Sequence, residues 1–265
     1  MGLTGLEIFK HLPKTNCKEC GFPTCLAFAM ALANGKTSLD LCPDVSDQAK
    51  EALSSAAAPP IRLVKVGAGE NVLEMGDETE IFRHDKRFNH PTAITIAVND
   101  NEDIEAKVEA INQLAFDHVG QHYEADMVAL VNASGDAASF KAAAEKAAAK
   151  TEKNFTLISA DPAAMEAALE VLAARKPLLY AADKDNYEKM TELAKAKGCA
   201  LVVKGENLDE LADLVEKIVA LGHRELVLDS GSRETSKVLA DLTQFRRQSV
   251  KKKFRTFGYP AITFT

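Results

Sequence analysis

The sequence predicts an α/β fold of repeated strand–helix units preceded by a small helical module. Three observations predict it. From Thr92 onward, short apolar, β-rich runs alternate with amphipathic stretches. Ahead of them, Ser54-Ser55-Ala56-Ala57-Ala58-Pro59-Pro60 breaks the pattern and reads as a linker. Ahead of the linker, the first 42 residues hold four of the five cysteines. The expected division is residues 1–58, module plus linker, and residues 59–265, the strand–helix domain.

In chain order, residues 4–12 read as an amphipathic helix with Leu6, Phe9 and Leu12 on one face, ended by Pro13. Thr24 is placed to cap a second helix, 25–34, with Leu26, Met30 and Ala33 on one side and Gly35 as its stop. Residues 45–58 read as a third helix running into the linker. Residues 61–66 and 71–75 flank Gly67-Ala68-Gly69, which predicts a hairpin. A dense polar block follows, from Gly76 to Pro91. His84 and His90 lie there among carboxylates, but their spacing matches no standard ligand set. The alternating charges favour a salt-bridged loop.

Seven runs then qualify as strands: 93–98, 127–131, 155–159, 177–181, 200–203, 225–228 and 261–264. Most are apolar on both faces, as parallel strands buried under helices are. Helical stretches separate them at 103–115, 137–150, 162–173, 185–197, 208–221 and 232–253. Such repeated units predict a TIM-type (β/α)8 barrel, with an open doubly wound sheet as the alternative. Seven runs are one short of eight, so the barrel is expected to be incomplete in this chain.

The cysteines carry the chemistry. Cys17, Cys20, Cys25 and Cys42 are spaced C-x2-C-x4-C-x16-C, and Pro43 follows the last. Four thiolates from a tight loop and one distant position suit a [4Fe–4S] cluster. Gly21 and Pro23 permit sharp turns between ligands. Structural zinc more often shows two paired C-x2-C knuckles, and a pair of disulfides needs an oxidising compartment. Both stay as alternatives. Cys199 stands alone before an apolar run and reads as a small buried hydrophobe.

Composition narrows the function classes. A net charge of −7 argues against a nucleic-acid partner. The local basic run Arg246, Arg247, Lys251, Lys252, Lys253 and Arg255 reads as a solvated helix face. No run of about 18 apolar residues predicts a membrane span, and the opening residues do not form a secretory signal. The expected location is a reduced cytoplasm. A barrel keeps its chemistry at the C-terminal strand ends. Those ends carry Asp100, Asn132, Ser134, Asp161, Asp183, Asn207 and Asp229, each of which also suits helix capping.

Further residues point to one family. Leu3-Thr4-Gly5-Leu6-Glu7-Ile8, the run from Cys20 to Met30, Glu74-Met75-Gly76-Asp77-Glu78-Thr79, Phe82-Arg83-His84-Asp85-Lys86 and Lys176-Pro177-Leu178-Leu179-Tyr180 resemble the large (gamma) subunit of the corrinoid iron–sulfur protein. That protein belongs to the acetyl-CoA decarbonylase/synthase system of anaerobes, and the resemblance covers the whole chain. It implies an N-terminal [4Fe–4S] domain, a TIM barrel and a C-terminal cobalamin domain, which this chain is expected to lack. Cys17, Cys20, Cys25 and Cys42 match the family's cluster ligands.

The resemblance also implies a heterodimer with a small subunit. The methyl group would come from methyltetrahydrofolate, or a pterin analogue, through a methyltransferase. It would be delivered to acetyl-CoA synthase. The cluster would relay electrons, from a reductive activator or ferredoxin, that return cobalt from Co(II) to Co(I). The corrinoid would be held mainly beyond Thr265. Asp117-His118-Val119-Gly120 is a shortened look-alike of a corrinoid histidine motif and falls beside a helix end. Two other readings remain: an iron–sulfur electron-transfer module on a barrel scaffold without corrinoid, and a barrel methyltransferase with Asp100, Asp161, Asp183 and Asp229 around a pterin.

Overall fold

The computed structural model describes residues 4–33, 37, 39–46, 49, 59–82, 84 and 89–264. The expected linker at 54–60 and the body of the helix expected at 45–58 lie almost wholly outside the described residues.

Helix α1 spans Gly5–His11 and α2 spans Cys25–Ala33. A reciprocal capping box starts α1: the Thr4 hydroxyl accepts the Glu7 N–H, and the Glu7 carboxylate accepts the Thr4 N–H. The buried face differs from the expected one. Ile8 and Leu12, not Leu6, point inward, and in α2 the inward residues are Cys25, Phe28, Ala29 and Leu32 while Leu26 and Met30 face water. Close approach of the two helices decides this. A Cβ on Gly5 would collide with Met30 and stand 3.2 Å from its Cα. These residues, with Leu39, Cys42 and Val45, form a small core of their own.

The expected hairpin is present. Strand β1 (Val64–Val66) pairs antiparallel with β2 (Leu73–Met75). Strand β3 (Thr95–Asn99) and helix α3 (Ile104–Gln113) follow. A second antiparallel hairpin comes next, β4 (Ala115–His118) with β5 (Gln121–Glu124). Sequence periodicity missed it because all eight residues are exposed, so no alternation of apolar and polar positions marks it. Asp117-His118-Val119-Gly120 belongs to this hairpin's first strand and turn rather than to a helix end.

Parallel strands then alternate with helices: β6 (Met127–Val131), α4 (Ala137–Lys150), β7 (Asn154–Ile158), α5 (Pro162–Leu172), β8 (Leu178–Ala182), α6 (Tyr187–Lys197), β9 (Leu201–Lys204), α7 (Leu208–Ala220), β10 (Leu226–Asp229) and α8 (Thr235–Arg246). The six-stranded sheet runs β10-β9-β8-β7-β6-β3, so neighbours in space follow chain order without reversal. All pairings in it are parallel.

Every helix from α3 to α8 packs on the same face, against Val98, Leu130, Leu157, Leu179, Val203 and Leu228. The opposite face presents Met127, Leu178, Tyr180, Val202 and Val227 and packs on Val64 and Val66 of the first hairpin. A doubly wound sheet reverses strand order and carries helices on both faces. Sequential order with helices on one face is consistent with a partial barrel-like fold. The run at 261–264 begins a seventh position: Ala261 bridges Leu228 in parallel, and the Leu228 N–H donates to the Pro260 carbonyl at 2.8 Å.

The expected helix over 232–253 ends earlier, at Arg246, and continues as a π-type turn over Arg247–Lys251. The Ser249 hydroxyl donates to the Phe245 carbonyl at 2.8 Å, the back-bonding that bends helices. The basic run is not uniformly solvated either. Arg246 donates to the Ile81 carbonyl and pairs with Glu78, and Arg255 donates to the Pro59 carbonyl. Lys251, Lys252 and Lys253 remain exposed.

Candidate metal centre

Residues 13–24 form the irregular loop between α1 and α2. Lys14, Asn16, Lys18 and Gly21 take positive φ there, at 61°, 52°, 68° and 80°. Left-handed and turn residues rotate backbone N–H groups toward the inside of a loop. Concavities lined in this way recur around phosphates and Fe–S clusters. The Gly21 N–H closes a turn onto the Lys18 carbonyl at 3.0 Å.

Cys25 begins α2, and Asn16 holds it by two bonds. The Asn16 N–H donates to Cys25 Sγ at 3.3 Å, and the Cys25 N–H donates to Asn16 Oδ1 at 2.8 Å. Thr24 Oγ1 accepts the Ala27 N–H at 3.1 Å, so the expected cap is formed. Cys42 follows a 3₁₀ turn, Leu39–Leu41, and its N–H donates to the Leu39 carbonyl at 3.1 Å. Burial raises the Cys42 thiol pKa. An Asp44 backbone N–H opposes that shift, while Cys20, Cys17 and Cys25 push it further up. Cys42 shares the small core with Cys25, and Cys20 packs against that core.

The four thiols differ in access. Cys17 is exposed and Cys20 half-buried, while Cys25 and Cys42 are 6% and 4% exposed. Phe22 packs edge-on against Phe28, with ring centroids 5.5 Å apart, and screens the inner side. Among the described residues, no three His, Cys, Asp or Glu side chains converge tightly enough to hold a single metal ion. Thiolates at the corners of a cubane stand further apart than that. The donor set fits a cluster: four free thiols, N–H groups aimed at sulfur and an apolar surround. Asn16 escaped the sequence reading. The available signal was an asparagine, which tolerates left-handed backbone, beside the first cysteine.

At the C-terminal end of the sheet, three of the four aspartates bind neighbouring backbone N–H groups and the fourth is held in a buried side-chain network. Asp100 accepts the Ala133 and Ser134 N–H groups, Asp161 caps α5, and Asp183 accepts the Asp185 and Asn186 N–H groups. Asp229 is no cap. It is buried, accepts the Tyr180 hydroxyl at 2.6 Å and forms a two-pronged pair with Arg233 at 3.0 and 2.8 Å. Arg233 also donates to the Tyr180 oxygen and covers the Phe264 ring. Burial is the main cause that drives the Tyr180 pKa well above the usual phenol range. The aspartate pair with Arg233 was readable at i,i+4, but Tyr180 comes from another strand and leaves no local trace.

In the polar block, His90 Nε2 lies 4.0 Å from Glu74, whose carboxylate pairs with Lys65, and Asn89 is bonded to Glu78 and Asp77. Glu78 pairs outward, with Arg246 of α8, and Arg83 and residues 85–88, which carry most of the charges behind the expected salt-bridged loop, lie outside the described residues. Cys199 is buried, and its thiol is pushed up to about 11 by burial, as a small core hydrophobe requires.

Two family models match the sequence. A model for an Fe–S cluster segment matches residues 12–43, and the model described as CO dehydrogenase/acetyl-CoA synthase delta subunit matches residues 63–265. The chain belongs to the CO dehydrogenase/acetyl-CoA synthase delta-subunit family. Relatives with curated names are similar along most or all of its length. The corrinoid/iron–sulfur protein large subunit of Moorella thermoacetica is 61% identical over 100% of this chain and 60% of its own length. The acetyl-CoA decarbonylase/synthase complex subunit gamma of Methanothermobacter thermautotrophicus is 33% identical over 99% of this chain and 60% of its own length. Subunit gamma 2 of Methanosarcina mazei is 38% identical over 89% of this chain and 52% of its own length. This family member thus spans little more than half the length of the curated relatives it matches. Among the described residues, no helix is long and apolar enough to cross a membrane.

Proposed function

We propose that this chain is the cluster-bearing and barrel portion of the large subunit of a corrinoid iron–sulfur methyl carrier. What supports the reading is the Fe–S family match over residues 12–43, with Cys25 and Cys42 in one small core and Cys20 packed against it, in a chain so similar to a corrinoid/iron–sulfur protein. Those four cysteines are the proposed ligands of a [4Fe–4S] cluster. Such a cluster supplies one-electron chemistry at a low potential set by hydrogen bonds to sulfur and by burial. The residues of this chain hold, shield and orient it. Residues 1–58 act as the cluster domain with its linker, and residues 59–265 as the barrel, which the remainder of a full-length protein would close.

In this reading the corrinoid is held by the part of the full-length protein that this chain does not span. The methyl group comes from methyltetrahydrofolate, or a pterin analogue, through a separate methyltransferase and goes to acetyl-CoA synthase. Electrons arriving from a reductive activator or ferredoxin pass through the cluster to restore Co(I) from Co(II). A small subunit completes the assembly. The test is anaerobic purification of the full-length protein with its small subunit, followed by iron, sulfide, zinc and cobalt counts and EPR. About four iron and four sulfide per large subunit, with cobalt, are expected. Zinc in place of iron, or a colourless preparation, overturns the cluster. Iron without cobalt leaves an electron-transfer module and overturns the methyl carrier.

A further inference from the structure

We propose that Asn16 is a positioning residue that sets the reduction potential of the N-terminal cluster by locking an N–H···S bond onto Cys25. The inference rests on the reading of the four cysteines as cluster ligands. It adds a residue outside the ligand set, with a defined physical job.

The argument starts from the two bonds between Asn16 and Cys25. The backbone N–H of Asn16 reaches Cys25 Sγ at 3.3 Å, and the side-chain oxygen of the same residue takes the Cys25 N–H at 2.8 Å. The first bond draws electron density from the sulfur. That favours the reduced cluster, which carries one more negative charge, and so raises the potential. The second bond fixes the direction of the first, because it ties Asn16 to the rigid start of α2. It also satisfies a helix N–H that would otherwise lack a partner. The geometry requires φ of 52° at Asn16, where asparagine is among the few non-glycine residues at ease. The couple is a one-electron exchange. The cluster gains the electron that an external reductant loses, and no bond is made or broken.

The variant that isolates the side chain is Asn16→Gly. It keeps the backbone N–H and the left-handed conformation and removes only the oxygen that holds them in place. The full-length protein with its small subunit, wild type and N16G, is titrated anaerobically with Ti(III) citrate and followed by EPR. The expected N16G protein keeps its iron and sulfide but has a more negative midpoint. At the wild-type midpoint its ratio of reduced to oxidised cluster falls about tenfold, which is about 59 mV for a one-electron couple. A full cluster with an unchanged or higher midpoint overturns the role of Asn16 and leaves the ligand assignment standing. Absence of iron in the wild type overturns the ligand assignment itself.

Should N16G fail to assemble a cluster, wild-type protein labelled with ¹⁵N-asparagine supplies a second measurement. Pulsed EPR of the reduced cluster is expected to show hyperfine coupling to a backbone ¹⁵N, and the same label in N16D protein is expected to lose it. A wild type without that coupling, or an N16D protein that retains it, overturns the inference.

Discussion

His223 and Asp229 are both buried, and they respond to burial in different ways. His223 lies in the turn after α7, and its Nε2 has no hydrogen-bond partner among the described residues. Burial lowers its pKa, and the hydrogen bond to the Glu225 backbone offsets only part of that. The unfolded chain therefore binds this proton more readily than the folded one. Stability from this group is full above about pH 6.5 and falls as pH drops through 6.5 toward the depressed folded value. Thermal melts between about pH 7 and about pH 5 should show this decline, and His223→Phe should flatten it. Asp229 is held instead by Tyr180 and Arg233. Replacing it with alanine strands the Tyr180 hydroxyl and the inner face of Arg233. The expected loss is about 3 kcal/mol, read by denaturant unfolding, against about 1 kcal/mol for Tyr180→Phe. In its own run, Asp229-Ser230-Gly231, Asp229 looks like a cap. The partner that changes its role sits 49 residues away.

Helices α1 and α2 show where local patterns misplace a face. Leu6 is 64% exposed although it is as apolar as the buried Ile8, because glycine at position 5 lets α2 approach on the Gly5–Ile8 side. Gly5→Ala puts a methyl against the Met30 side chain and backbone. It should destabilise the helical module by about 1–3 kcal/mol, visible as earlier loss of the proposed cluster's absorbance on heating. The β4–β5 hairpin is the opposite case. Its residues are exposed, and Phe116 stacks on Tyr123 at 5.5 Å outside the main core. Replacing residues 115–124 with a short glycine linker should move the melting temperature of the sheet domain by less than about 4 °C. A larger drop would mean that the hairpin braces the sheet. Strands β6 to β10 were legible because burial on both faces makes them continuous apolar runs, whereas this hairpin offered no burial for a pattern to record.

At the scale of the molecule, strand order was legible from the repeating strand–helix rhythm, and helices on one side of the sheet follow from it. Ring closure, expected from the same rhythm, is not seen among the described residues, whose parallel sheet has six strands in open order. The helical module and the sheet domain have separate hydrophobic cores. Metal sites of this kind couple ligand binding to folding. Removing the iron of the proposed cluster should therefore unfold the helical module while the main melting transition of the sheet domain stays in place, as calorimetry with and without chelator would show. A single merged transition that shifts as a whole would contradict separate cores.

The uneven depth of the four sulfurs has a consequence for wear. A peroxide molecule diffusing in from bulk solvent meets Cys17 first and Cys20 second, while Cys25 and Cys42 lie behind packed rings and aliphatic side chains. Oxidative damage should start at that one outer corner and leave the inner pair for last. If the proposed cluster is bound there, an injured site would still keep two of its proposed anchors, Cys25 and Cys42.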